Sequence, residues 1–154
     1  MLKNINPHLN ADLLYILDSM GHGDEFVITD CNFPSYSTAA KTVTGKLVFM
    51  DGLDIPILLR AIFSVFPLDS FVKIPVHCME VVGDPTQRAD CHNDMRTILD
   101  ENSDRHWEMG FIERDAFYKR ANNSYAVVCA AGERRPYGCF ILTKGIIGSN
   151  GKIV

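Results

Sequence analysis

Residues 10–30 read NADLLYILDSMGHGDEFVITD, and their order decides the fold. Asn10 offers a side-chain acceptor to the first turn of a helix over 11–20. Leu13, Leu14, Leu17 and Met20 recur at helical spacing and give that helix one apolar face. Gly21 follows as a C-cap glycine. Gly21-His22-Gly23-Asp24 then forms a tight loop, and Glu25 to Thr29 is a short apolar strand with Asp30 at its end. A capped helix that hands over at once to a buried strand is the unit from which α/β sheets are built.

The same alternation runs outward from this stretch. Residues 34–40 read as a loop with one helical turn, and 45–50 as a strand. Asp54 caps a second helix, with Pro56 tolerated in its first turn. Its apolar face is Ile57, Leu58, Ala61, Ile62 and Val65, and Pro67 stops it. A strand is expected over 74–82, and Gly83-Asp84-Pro85 turns into a polar helix over 86–99. A solvated loop over 100–104 leads to a strand over 107–112 and a helix over 113–122. Strands over 125–130 and 138–143 follow, and the last residues of the Gly- and Lys-rich tail from Gly145 are expected to fray. There is no repeat, linker or low-complexity segment. The expectation is one α/β domain over 1–154, with a sheet of about five or six strands covered by helices.

Composition narrows the function. The 19 carboxylates outnumber the 15 Lys and Arg, for a net charge of −4, so no basic stripe invites nucleic acid. The first ten residues carry Asn, Pro and His where a signal peptide needs an apolar run, and no apolar run is long enough to span a bilayer. A cytoplasmic protein without membrane or nucleic-acid partners is expected. Cys31, Cys78, Cys91, Cys129 and Cys139 are scattered and form no Cys-x-x-Cys pair, so free thiols and no metal site are expected. A phosphate-binding glycine loop, a Rossmann glycine triplet and a Gly-x-Ser-x-Gly elbow are all absent, which sets aside nucleotide hydrolysis, dinucleotide redox chemistry and serine hydrolysis.

Four groups of residues could carry chemistry. His22 stands between glycines that let a ligand approach its imidazole, a group that titrates near neutrality; the alternative is a surface turn histidine. Asp30 ends an apolar strand, where a carboxylate can accept hydroxyl hydrogen bonds or merely cap the next turn. Arg114 and Tyr118 are four apart and share a helix face with Asp115 nearby, although a packed Tyr and a solvated Arg explain that spacing as well. Gly132-Glu-Arg-Arg-Pro-Tyr137-Gly138-Cys139 offers a phenol and an accessible backbone at a strand start.

Taken in order, these segments resemble the fucose mutarotase and ribose pyranase family. The resemblance begins with Met20-Gly-His-Gly-Asp-Glu25 and Asp30-x-x-Phe-Pro34. It continues through Asp51-Gly-Leu53, Leu58-Leu-x-Ala-Ile62, Leu68-Asp-Ser70, Ala116-Phe-Tyr118-x-Arg-Ala121 and Gly132-Glu-Arg134. It ends at Tyr137-Gly138 and Leu142-x-Lys-Gly145. It covers nearly the whole chain, and the Ala-Phe-Tyr and Gly-Glu-Arg segments look like the fucose mutarotase branch.

The resemblance implies an isomerase that exchanges the α and β anomers of a free monosaccharide such as L-fucose without a cofactor. His22 matches the family's proton donor, with Tyr118 and Asp69 as further acid/base candidates. Asp30, Arg114, Tyr137, Gly138 and Cys139 match sugar ligands, and His77 matches a pocket wall. Cys139 stands where the family has Asn, so one hydrogen bond to the sugar is changed. Trp107 or Phe33 could stack on the sugar's apolar face. The family assembles into closed homo-oligomers, so a homo-oligomer is expected here, a decamer if it follows the bacterial pattern. Ribose pyranose–furanose conversion and a non-enzymatic sugar-binding module are the alternatives that the same resemblance leaves open.

Overall fold

Amphipathic helices that alternate with apolar strands must share a sheet, and six short strands supply it. The computed structural model describes residues 2–102 and 105–154. In chain order the elements are α1 (Ala11–Ser19), β1 (Glu25–Thr29), α2 (Ser35–Ala39), β2 (Leu47–Met50), α3 (Ile55–Phe63), β3 (Val76–Met79), α4 (Asp90–Glu101), β4 (Met109–Ile112), α5 (Arg114–Ala121), β5 (Val127–Ala130) and β6 (Phe140–Thr143). The sheet order is β2-β5-β1-β6-β3-β4. β5 lies parallel between β2 and β1, β3 is parallel to β4, and β6 runs antiparallel between β1 and β3. The link from Ala130 to Phe140 is too short for a crossover helix, so β6 reverses direction. The α/β expectation therefore holds, with a mixed sheet.

Alternation along β1 sets the two faces. Phe26 and Ile28 pack with Leu13, Ile16 and Leu17 of α1, Leu58, Leu59 and Ile62 of α3, and Met95, Ile98 and Leu99 of α4. Val27 points the other way, into a smaller cluster with Phe33, Met79, Phe117, Ala121, Cys139 and Ile141. Each fully buried side chain of this size contributes about 1.5–3 kcal/mol relative to exposure, so the larger cluster carries most of the fold's stability. No helix among the described residues is long and apolar enough to cross a membrane.

Several boundaries differ from the sequence reading, each for a local reason. Asn10 caps α1 as expected, its side chain accepting from the Leu13 N–H at 2.8 Å. Gly21 does not close the helix: Met20 does, with its N–H on the Ile16 carbonyl, and the left-handed glycine of the loop is Gly23, at φ 83°. Of the expected α3 face, Ile57 is 40% exposed and Val65, beyond the helix end, 38% exposed, while Ile55 and Leu59 are buried residues that this face omitted. α4 starts at Asp90 because Asp84 Oδ1 takes the N–H groups of Thr86 and Gln87 into a turn. It runs on to Glu101, into the loop expected over 100–104, whose Ser103 and Asp104 lie outside the described residues. The tail does not fray: Ile147 bridges Ile153, and the Gly148 N–H donates to the Lys152 carbonyl.

Candidate functional site

The loop between α1 and β1 presents His22 at one end of the sheet. Its Nε2 lies 3.1 Å from Oδ1 of Asp69, which precedes β3. Asp69 is buried, its Oδ1 also accepts the Phe71 N–H at 2.9 Å, and its own N–H donates to the Thr143 carbonyl. The Phe71 ring leans on the imidazole, with centroids 5.3 Å apart. A cavity of about 540 Å³ opens beside His22, lined mainly by apolar side chains such as Leu14, Leu17, Phe66 and Ile147.

The opposite end of β1 holds the second group. Asp30 is buried; its Oδ2 accepts the Gly138 N–H at 3.1 Å and the Cys139 thiol at 3.5 Å, and its Oδ1 accepts the Asn32 N–H at 2.9 Å. Burial pushes the Asp30 carboxyl above the ordinary aspartate value, and these hydrogen bonds offset part of that rise. A Cβ at residue 138 would come within 3.2 Å of Asp30, Ile55 and Glu133, so glycine is what lets the backbone N–H reach the carboxylate. Tyr137 beside it is held at φ 66°, a conformation that a bulky residue adopts only under constraint; its hydroxyl accepts the Val82 N–H at 3.1 Å.

Helix α5 brings Tyr118 to this same end. Burial raises its phenol above the usual tyrosine value, and the charges of Cys139, Arg114, Asp30 and Asp115 act on it in turn. Its ring packs on Phe33, with centroids 5.2 Å apart. Arg114 is exposed and pairs with Asp115 at 3.3 Å. A cavity of about 240 Å³ beside it is lined by Glu80, Val82, Glu113 and Arg114.

The sequence-derived set thus divides. Asp30, Tyr118, Tyr137, Gly138 and Cys139 gather at the C-terminal end of β1, with Arg114 at their margin. His22 and Asp69 stand together before its N-terminal end, and a five-residue strand at about 3.3 Å per residue separates the groups. Within one chain, Asp69 therefore stands with His22 and apart from Tyr118. His77 lies midway along β3 on the α5 face, with a buried Nδ1 that has no hydrogen-bond partner among the described residues; burial and Arg120 hold its pKa down. Trp107 is buried in the larger core, while Phe33 stays beside Tyr118.

Two contributors carry no signal in the sequence, and a third, Glu133, lies in the Gly132-Glu-Arg segment without being singled out there. Met79 packs with Phe33, Tyr118 and Cys139 at the Asp30 end, but a methionine in an apolar strand reads as core. Phe71 is set by the turn around Asp69. Glu133 is buried in a charged turn; its carboxylate accepts the Ile55 N–H at the start of α3 and two guanidinium N–H groups of Arg135. Among the described residues, no group of three or more His, Cys, Asp or Glu side chains is placed to hold a metal ion.

An imidazole held by a buried carboxylate can give and take a proton, and a desolvated carboxylate flanked by a phenol can fix sugar hydroxyls. Proteins with the same order of segments carry related names. The fucose mutarotase of Homo sapiens is 39% identical over 153 residues, covering 97% of this chain and 96% of its own. The L-fucose mutarotase of Actinobacillus pleuropneumoniae serotype 5b is 34% identical over 146 residues, covering 95% of this chain and 97% of its own. The fucose mutarotase of Streptococcus pneumoniae, solved in complex with L-fucose, superposes with a TM-score of 0.84 at 36% identity, over 96% of this chain and all of that one. The RbsD / FucU transport protein family matches residues 3–147, so that nearly every element described above falls within its span, and the chain belongs to that family.

Proposed function

We propose that the protein is a mutarotase that interconverts the α and β anomers of a free monosaccharide, with L-fucose the first candidate. The observation that carries this reading is the exposed His22 imidazole hydrogen-bonded to the buried Asp69 carboxylate, in a loop that glycines keep open. Near full-length relatives named for fucose mutarotation support it.

Anomer exchange needs only proton transfers. His22 gives a proton to the ring oxygen while a base takes one from the anomeric hydroxyl; the ring C–O bond breaks and the anomeric carbon becomes the aldehyde. The carbonyl turns, the ring hydroxyl attacks it on the other face while His22 takes its proton back, and the base returns its own proton to the carbonyl oxygen. A positioned acid or base accelerates such a step by roughly 10²–10⁴-fold. Tyr118 is assigned as the partner at the anomeric hydroxyl. Asp30, Arg114, Tyr137 and the Gly138–Cys139 backbone hold the remaining hydroxyls, with Met79 and Phe33 against the sugar's apolar face and His77 farther along the wall. Sugar, acid and base together balance every bond and proton, so the reaction calls for no cofactor.

Neither end of one chain holds both the histidine and the hydroxyl-binding set. The reading therefore includes a closed homo-oligomer in which His22 and Asp69 of one copy face Asp30, Tyr118 and Tyr137 of another. The exposed apolar side chains near His22, among them Phe71, Val72, Ile147 and Val154, supply a surface for such a contact. The cytoplasm is the compartment assigned to it. Saturation-transfer NMR of L-fucose, D-galactose and D-ribose, with and without protein, tests the activity. Faster anomer exchange of fucose is expected, and unchanged exchange for all three sugars overturns the reading.

A further inference from the structure

Residues 143–145 form a spine between the two members of the His22–Asp69 pair. On one side, the Lys144 carbonyl accepts the Gly23 N–H and the Lys144 N–H donates to the Asp24 carbonyl, both at 2.9 Å. On the other, the Gly145 N–H donates to Pro67 at 2.9 Å and the Thr143 carbonyl accepts the Asp69 N–H at 3.1 Å. Leu68 and Lys144 form a β-bridge there. A Cβ at residue 145 would stand 2.4 Å from the Leu68 carbonyl oxygen and 2.8 Å from Asp69 Cα, so the strands approach this closely only with glycine.

The Lys144 side chain adds a second constraint. Its Nζ donates to the carbonyls of Leu17 and Met20, each at 2.6 Å, and reaches that of Asp18 at 3.3 Å. These are carbonyls at the end of α1, which an α-helix leaves without internal partners and which carry the negative end of its dipole. No side chain of α1 itself is basic in its last turn. The ammonium thus fixes where α1 ends and where the His22 loop begins, while its own backbone fixes where that loop ends. Burial lowers the Lys144 pKa, and nearby Asp18 and Asp24 oppose the shift.

We propose that Lys144 is a positioning residue for the acid: it clamps the end of α1 so that His22 meets Asp69 in one orientation. It touches no sugar in this assignment and acts only through His22. The proposal rests on the mutarotase reading for its kinetic consequence, but its structural consequence can be read without any sugar.

Lys144→Met removes the three donors and keeps the chain length; Lys144→Arg keeps a cation within reach of the same carbonyls. Two measurements are made on wild type and both variants: saturation-transfer kinetics with L-fucose, and the ring-nitrogen NMR pattern of His22, assigned by its loss in His22→Gln. A misplaced catalytic group costs up to about 10²-fold. Lys144→Met is therefore expected to lower kcat about tenfold or more with KM nearly unchanged, and to replace a single ring-nitrogen pattern of His22 with a mixture. Lys144→Arg is expected to restore most of both. Unchanged kcat and an unchanged His22 pattern in Lys144→Met overturn the proposal, as does a kcat loss with the His22 pattern intact. If Lys144→Met does not fold, Lys144→Gln, which also lacks the cation, decides: a folded variant with lowered kcat and a perturbed His22 pattern supports the clamp, and one with kcat and the pattern unchanged, or with KM alone changed, overturns it. Absent exchange in wild type would sink the mutarotase reading, while the NMR comparison would still judge the clamp.

Discussion

His22 Nε2 lies 3.1 Å from Asp69 Oδ1, and the side chains differ in exposure, 43% against 2%. The buried carboxylate is fixed by the Phe71 N–H and by the pairing of its own N–H with Thr143, so it serves as the anchor and the imidazole as the presented group. Asp69→Asn keeps the shape and removes the charge. It is expected to lower kcat for anomer exchange by about 10- to 100-fold with little change in KM. Progress curves over a range of fucose concentrations separate the two constants. A raised KM with kcat intact would make Asp69 a sugar ligand instead.

Asp30 acts on the other constant. Its carboxylate already accepts from Gly138, Asn32 and Cys139, so a sugar hydroxyl enters a site whose geometry is fixed before binding. Asp30→Asn is expected to raise KM about tenfold and to change kcat less, the mark of an interaction made equally in ground and transition states. Because burial holds the Asp30 carboxyl above its ordinary value, KM in wild type should climb on acidification sooner than an exposed aspartate would allow. A pH series of KM, compared with that of Asp30→Asn, reads this directly, and matching series would remove Asp30 from sugar binding.

Glu133 gives a stability prediction of definite sign. Burial pushes its carboxyl up, but the hydrogen bonds from Arg135 and Ile55 together outweigh burial and hold it below the ordinary value of 4.5. A folded-state pKa below the unfolded one contributes stability that is complete above the unfolded value and is lost as pH falls through the folded one. Asp30 has the opposite sign: its raised pKa makes its contribution improve as pH falls through that value. Glu133→Gln is expected to cost about 1–3 kcal/mol at neutral pH and to flatten the acid limb of the stability profile. Urea unfolding across about pH 3–7 measures both. An unchanged acid limb would assign that limb to other carboxylates.

Much of the fold could be read from capping and periodicity. Asn10, Asp54 and Glu25 to Thr29 behave as their local chemistry dictates, because each signal lies within one turn or one strand. The errors lie where a distant partner decides. Val65 looks like the last apolar position of α3, but the chain turns before Pro67 and leaves it exposed. The tail looks free until Ile147 meets Ile153. At the site, His22 stands out between two glycines and Asp30 at the end of a strand. Nothing local links Asp69 to His22, since 47 residues separate them and their segments meet through the backbone of residues 143–145.

The division of the site between the two ends of β1 leads to a test by mixing. Separate His22→Ala and Asp30→Asn preparations should each be nearly inactive at low fucose, one lacking the acid and the other the hydroxyl acceptor. If each site draws His22 from one copy and Asp30 from another, a mixed oligomer regains sites in which neither lesion is present. In a random equal mixture, the copy that supplies His22 carries the intact residue half of the time, and so independently does the copy that supplies Asp30. About a quarter of the sites should then be intact, as the symmetry of a homo-oligomer requires. Co-expression of the two variants, followed by fucose exchange assays at matched protein concentration, should therefore recover about a quarter of the wild-type rate. Simple addition of the separate variants' residual rates would place each complete site within a single copy. Light scattering on the same samples shows whether the copies are associated at all.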